Sequence, residues 1–170
     1  MFLDKSYLLL SAGNALLGHV APSLRAFTVD FDEKERQLTT RFFYDGEIND
    51  HLFDLASCAT VEIELNSEKP ELYNYQEPII RVDYPKKIPF EGNLVYLRYE
   101  PNFEGFYPNE RGSQWLKESD PPYAFLFLDM QNALLAKVTP ALRQVSTLIQ
   151  IEKKMIDLYF WYDGKISDLE

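Results

Sequence analysis

The chain has 170 residues, a formal net charge of −10, a sequence pI of about 4.7 and 46% hydrophobic residues. Its apolar content predicts a folded protein, and its length suffices for one domain with a good core, or for one small domain with an appendage. The excess of acids argues against nucleic acid or an anionic membrane surface as the main partner, because both require a basic footprint. A basic protein or a cationic ligand fits this charge better, although acidity also serves solubility alone.

The N-terminus, the cysteine and the histidines bear on location and metal chemistry. Residues 1–10 include an apolar run without a basic leader, and no run approaches the ~20 residues needed to span a bilayer. We therefore expect a cytoplasmic protein with no membrane partner. Cys58 stands alone and is expected to pack as a small hydrophobe, while His19 and His51 lack the spacing of metal ligands. No metal and no cofactor are predicted.

The first predicted elements are a helix and a hairpin. Apolar spacing predicts a helix over about residues 5–20. From Leu24 onward the period changes to two, which predicts a half-buried strand with Asp30 on its wet side. Residues 32–35 are polar and turn-like, and a second alternating run follows over residues 38–44. The two runs therefore predict an antiparallel hairpin.

The next elements complete a first unit. Asp45-Gly46 ends the second strand, and an amphipathic helix is predicted over residues 49–65. A polar loop over 66–76 precedes strands over 78–84 and 94–99. The predicted fold class is therefore α+β: an α-β-β-α-β-β unit over residues 1–100, with a four-stranded, mainly antiparallel sheet and helices on one face.

An internal repeat organises the rest of the chain. The segment Tyr44–Asp50 returns 118 positions later as Tyr162–Asp168, and fourteen of 37 gaplessly aligned positions ending in these segments are identical. The repeat predicts a connector over 101–120 and a truncated α-β-β second copy over 121–170. Its helix is expected over 123–138 and its hairpin arms over 143–150 and 155–162.

The second copy stops where the first unit begins its second helix. An isolated α-β-β fragment exposes a sheet edge and a helix face, so we expect it to extend the first unit's sheet or to form a homodimer through residues 121–170. A decayed duplication is a third alternative. Several polar hairpin positions of the first unit, including Asp30, Thr40 and Arg41, hold Leu148, Leu158 and Tyr159 in the second. A wet face is thus expected to have become apolar.

No catalytic motif is found, and an enzyme is not predicted. The chain lacks a G-x-S-x-G serine and a glycine-rich phosphate loop. Asp45 and its repeat Asp163 are interpreted as turn residues next to glycine. Arg25 and its repeat Arg143 open strands beside these turns, where an internal ion pair is expected.

Charge is concentrated in one segment. Between Asp30 and Glu77 there are thirteen acids and four bases, so this segment holds nearly all of the net charge. The hairpin turn, the Asp-Gly corner and the acidic helix face can form one negative surface that speeds encounter with a cationic protein. A merely solvated face is the alternative. The predicted partner-binding residues are Asp30, Asp32, Glu33, Asp45, Glu47, Asp50 and Asp54.

The first unit resembles small bacterial immunity-type proteins of contact-dependent or polymorphic toxin systems. The resemblance covers residues 8–100, and residues 123–170 only as a partial second copy. Four motifs underlie it: N-A-L-L-G-x-V-x-P-x-L-R at Asn14–Arg25, F-Y-D-G-E-I at Phe43–Ile48, I-R-x-D-Y-P at Ile80–Pro85 and G-x-L-V-Y-L-R at Gly92–Arg98.

The resemblance implies a non-enzymatic protein that binds and neutralises a cognate toxin. An acidic surface would suit a basic toxin, such as a nuclease domain. The alternative hypothesis is a structural or oligomerisation module with an unrelated cellular role.

Overall fold

The computed structural model describes residues 5–66, 73–100, 130, 133–134, 139, 141–150, 153 and 155–163. The chain divides into two compact units, Met1–Lys137 and Val138–Glu170. The described elements are α1 (Lys5–Ala15), β1 (Leu24–Asp32), β2 (Gln37–Tyr44), α2 (Asp50–Leu65), β3 (Asn74–Gln76), β4 (Ile79–Arg81), β5 (Asn93–Leu97), β6 (Leu142–Gln150) and β7 (Met155–Tyr162). None of the helices in this part of the chain is long and apolar enough to cross a membrane.

Most elements lie close to their predicted positions, with two differences in the first unit. α1 ends at Ala15, five residues early, because the chain turns through residues 16–19 and Gly18 has a φ of +83°. β3 lies inside the predicted polar loop. The predicted connector over 101–120 is outside the described residues. Of the helix predicted over 123–138, only residues 130, 133 and 134 are described, and all three are helical.

The first unit contains a five-stranded sheet ordered β3-β2-β1-β5, with β4 also paired to β2. β1 pairs antiparallel with β2 on one side and with β5 on the other. β3 and β4 pair with successive parts of β2, and both are parallel to it. The α+β class is confirmed. The prediction of a four-stranded, mainly antiparallel sheet is corrected to five strands, two of which run parallel to β2.

The path of α2 explains the parallel strands. The helix starts just after β2 and runs back along it, so that Thr60 Oγ1 lies 3.0 Å from Thr40 Oγ1 in the middle of β2. The chain therefore returns to the end at which β2 began. A strand added from there must run parallel to β2, as in other β-α-β connections.

Both helices cover the same face of the sheet. The rings of Phe27 and Phe42 lie 4.5 Å apart between their centroids and form part of this layer. The buried cluster joins α1, α2 and the sheet. Its residues are Leu8, Leu9, Ala12, Ala15, Leu16, Ala21, Leu24, Phe27, Val29, Leu38, Phe42, Tyr44, Leu52, Ala56, Ala59, Ile63 and Val95.

The opposite face of the hairpin is also covered, so the prediction of a half-buried first strand with a wet side is wrong for residues 24–29. Ala26, Thr28 and Phe43 are fully buried. β4 and β5 lie on opposite sides of the β1–β2 pair, and the connection between them crosses this face. Its Val82 and Ile88 form a second buried cluster with Ala26, Phe43 and Leu97.

The second unit contains a hairpin that repeats the pairing of the first. β6 and β7 pair antiparallel from Leu142↔Tyr162 to Gln150↔Met155, with a bulge after Leu142, which is the β1–β2 register displaced by 118 positions. The N–H of Asp163 donates to the carbonyl of Ala141 at 2.8 Å, as Asp45 does to Ser23. The predicted arms are therefore present. The truncated second copy as a whole stays a prediction.

Candidate partner-binding surface

The acids at the hairpin turn shape the turn itself. Asp32 Oδ1 accepts hydrogen bonds from the N–H groups of Lys34 and Glu35 at 2.8 and 3.1 Å. Asp30 Oδ1 accepts from the N–H of Phe31 at 3.0 Å. These local bonds are typical of aspartate in tight turns. Asp30, Asp32 and Glu33 are all exposed, so their negative charges still face solvent.

Asp45 lies at the other end of the hairpin and connects three segments. Its Oδ1 accepts the N–H of Tyr84 at 3.1 Å, and its Oδ2 accepts from Arg98 Nη2 at 2.9 Å. Gly46, at a φ of +83°, donates its N–H to Asp83 Oδ1 at 2.8 Å. Asp45, interpreted from the sequence as a turn residue, therefore also makes long-range hydrogen bonds to the segment after β4 and to Arg98.

The charges at this corner are compensated. Burial opposes ionisation of Asp45, but the hydrogen bonds from Arg98 and from the Tyr84 N–H outweigh it and hold the pKa of Asp45 below its usual value. The hydrogen bond from Arg81, followed by that from the Gly46 N–H, likewise lowers the pKa of Asp83. Asp45 therefore has a structural role, in which it links the end of β2 to Tyr84 and Arg98.

Arg25 forms the internal ion pair expected from the sequence, but with a partner far along the chain. Its Nε and Nη2 donate to the two carboxylate oxygens of Glu100, both at 2.6 Å, and its Nη1 donates to the carbonyls of Val82 and Lys86. Both charged side chains are almost completely buried. This bidentate pair joins the first strand to the residues after β5.

The hairpin holds the two groups of predicted site residues apart. Asp30, Asp32 and Glu33 lie at the turn, whereas Asp45, Glu47 and Asp50 follow the other end of β2. Asp32 lies eight positions after Leu24 along β1, which corresponds to about 26 Å of strand. The hairpin alone does not bring these acids together, and the element that runs between the two ends is α2.

The solvent-facing side of α2 contains two of the predicted partner-binding residues, Asp50 and Asp54. Asn49 caps the helix by accepting the N–H of Leu52 at 3.1 Å, and it thereby positions Asp50 in the first turn and Asp54 one turn later. Asp50 and Asp54 are both exposed. These two members of the predicted set lie on one element and face solvent, as expected.

Three exposed apolar residues of α2 were not among the predicted partner-binding residues. Phe53 is 51% exposed, Val61 48% and Leu65 72%. Their intervals of eight and four residues place them on one side of a helix, and this signal is present in the sequence. Cys58 is exposed on the same helix, which corrects its predicted packing. We call the set Asp50, Phe53, Asp54, Ser57, Cys58, Val61, Glu64 and Leu65 the outer face of α2.

Glu77 adds a second negative charge next to Glu64 of the outer face of α2. Partial burial, and then the negative charge of Glu77, raise the pKa of Glu64. Glu77 also accepts a hydrogen bond from Ser57 Oγ at 2.8 Å, which places it beside the helix. The two carboxylates therefore repel each other at the outer face of α2.

These features define a class before any family is considered. An α+β unit that presents exposed apolar residues among acids on one helix face has the character of a protein-binding module. The chain belongs to the MafI2 immunity protein family, whose profile matches residues 5–100. This match spans more than half of the chain and ends at Glu100, the buried partner of Arg25. No curated protein matches the chain.

The family match confirms the resemblance to immunity-type proteins at the level of the class. The matched range contains both buried clusters, the Asp45 corner and the outer face of α2. The four sequence motifs that suggested the resemblance are not tested by this match, and they stay a prediction from the sequence.

Proposed function

We propose that this chain is a non-enzymatic immunity protein that binds a cognate toxin and blocks it by covering a basic surface of the toxin. The observation behind the proposal is the match to the immunity protein family over residues 5–100. This same range contains the acid-rich segment between Asp30 and Glu77. Occlusion requires complementary surfaces and no chemistry from the immunity protein. We propose that binding takes place in the cytoplasm.

The placement of the acids supports a basic partner. Asp30, Asp32 and Glu33 are exposed at the hairpin turn, and Asp50 and Asp54 are exposed on α2. A surface of one sign attracts a partner of the other sign over roughly one Debye length, about 8 Å at physiological ionic strength. Such attraction raises the association rate and disfavours partners with acidic surfaces.

The proposal is tested with a toxin that is encoded by a gene next to the gene for this chain. Purified toxin should lose its activity when the chain is added in molar excess, and the two proteins should co-purify. The association rate should fall as salt rises from about 50 to 500 mM, because screening weakens steering. Toxin activity that persists at molar excess contradicts the proposal.

A second candidate function is an oligomerisation module, and β6–β7 supports it. Apolar side chains of this hairpin are exposed by 37–56%, among them Ile149, Leu158 and Trp161. Within the described residues, no further strand pairs with β6 or β7. We propose a homodimer through residues 121–170 for this case. Light scattering tests it, since a monomer at concentrations up to about 100 μM would contradict a stable dimer.

A further inference from the structure

The apolar residues of the outer face of α2 form a stripe along the helix. Residues four apart lie on the same side of an α-helix, and positions 53, 57, 61 and 65 follow this spacing. Phe53, Val61 and Leu65 are each about half exposed or more, and the polar Ser57 lies between them. The opposite side of α2 is in the core, through Leu52, Ala56, Ala59 and Ile63.

Acids interleave with this stripe. With 100° of rotation per residue, Asp50, Asp54 and Glu64 fall within the same sector of the helix as the apolar residues. In the part of the chain that the structure describes, none of the three has a basic side chain within ion-pair distance. Their charge on this face is therefore uncompensated.

Acidic residues at the C-terminal end of α2 interact unfavourably with the helix dipole. Glu62 and Glu64 lie in the last turns of the helix, where the dipole is negative, and the last turn contains no basic residue. Glu77 lies beside Glu64 and adds like charge. Negative charges at this end of the dipole oppose folding, and His19 Nε2 lies 4.0 Å from the Glu62 carboxylate. A cationic partner would relieve this unfavourable interaction, and such local conflicts are typical of functional surfaces.

We propose that the outer face of α2 is the surface that contacts the toxin, with Phe53 and Leu65 as its apolar anchors and a basic toxin surface with apolar recesses as its occupant. This inference rests on the proposed function and names the site through which that function operates. The anchors provide binding energy by leaving water, and the acids around them select a basic partner.

Substitution of the anchors tests the proposal. Phe53→Ser and Leu65→Ser should each raise the Kd for the cognate toxin about 10- to 30-fold, mainly through faster dissociation. Both side chains are exposed, so the melting temperature should stay within a few degrees of the wild-type value. Leu17→Ser is the matched control, because Leu17 is 73% exposed in the turn after α1. Equal losses for Leu65→Ser and Leu17→Ser would overturn the proposal.

A charge substitution separates steering from contact. Asp54→Lys should lower the association rate several-fold at low salt and lose much of this effect at high salt. Leu65→Ser should leave the association rate and its salt dependence unchanged. If Asp54→Lys leaves binding unchanged at every salt concentration, the acids of this face do not select the partner.

Cys58 allows the same face to be probed without substitution. It is the single cysteine of the chain, and it is exposed on the outer face of α2. A maleimide should modify it readily in the free protein and at least 10-fold more slowly in the toxin complex. An unchanged rate in the complex, or slow modification of the free protein, would refute the proposal.

The proposed function and the proposed site fail in different ways. A wild-type chain that does not neutralise the toxin removes the proposed function. A wild-type chain that neutralises it, together with Phe53→Ser and Leu65→Ser variants that bind equally well, leaves that function intact and removes only the site.

Discussion

At the scale of residues, the feature with the largest desolvation cost is a buried ion pair. Arg25 and Glu100 are almost completely buried, and the guanidinium also satisfies the carbonyls of Val82 and Lys86. Burial of two charges is costly, so such a pair is tolerated only where its geometry and hydrogen bonds are nearly complete. Arg98 donates to Glu100 and Asp45, and so links the buried pair to the partly exposed corner at Asp45.

Breaking this pair should destabilise the protein strongly. Glu100→Leu should lower the free energy of unfolding by about 3–5 kcal/mol, because the charge of Arg25 is then buried without its partner. Arg25→Met should cost less, because Glu100 keeps its hydrogen bond from Arg98. The double variant should lose clearly less than the sum of the two. Urea unfolding provides the measurement, and Arg81→Met, at an exposed ion pair, is a control expected to change little. Additive losses would show that the two residues act independently.

The corner aspartate should contribute stability that depends on pH. The pKa of Asp45 is lower in the folded protein than in the unfolded chain, so its contribution is present above about pH 4 and is lost as pH falls through the folded pKa. Asp45→Asn should therefore cost about 1 kcal/mol at pH 7. The difference from wild type should shrink at about pH 3. A difference that is the same at both values would contradict this assignment.

At the scale of elements, the entry to β5 depends on a close backbone approach. Gly92 has a φ of +79°, and a Cβ there would lie 3.0 Å from the Val29 carbonyl oxygen. Gly18 has a similar φ of +83°, but a Cβ added there would have no neighbour within 4 Å in the described part of the chain. The two glycines therefore differ mainly in the space around them.

This difference predicts unequal effects of alanine. Gly18→Ala should cost about 1 kcal/mol, from the positive φ alone. Gly92→Ala should cost about 2–3 kcal/mol, because the Val29 backbone must also move away. Thermal unfolding of both variants measures the difference. Equal losses would mean that the approach of β5 to β1 adjusts without cost.

At the scale of the whole molecule, the described core of the first unit lies within the residues that match the family. Among the residues that the structure describes, the members of the two buried clusters lie between residues 8 and 97, and Glu100 completes the buried ion pair. A chain of this length buries enough apolar surface to fold alone. Residues 1–105 should therefore be sufficient for cooperative folding.

Truncation tests this prediction. A fragment of residues 1–105 should show one cooperative unfolding transition by circular dichroism. A fragment of residues 1–92 should not, because it lacks β5 and Glu100 and leaves β1 with an open edge and Arg25 buried without its partner. Loss of folding in the longer fragment would show that later residues are needed for the first unit.

The local elements, the resemblance to immunity-type proteins and the repeated residues can all be recognised in the amino-acid sequence alone. Period-two alternation located β1 and β2 closely, because a hairpin is set by neighbouring residues, and the 118-residue offset recurs in the register of β6–β7. The contacts between side chains that are distant in the sequence could not be predicted without the three-dimensional fold. The parallel placement of β3 and β4, the burial of both hairpin faces and the pairing of Arg25 with Glu100 depend on connections that cross the sheet. The hairpin separates the acids of the turn from those of the corner, and the packing of α2 on the sheet places its outer face between the two groups.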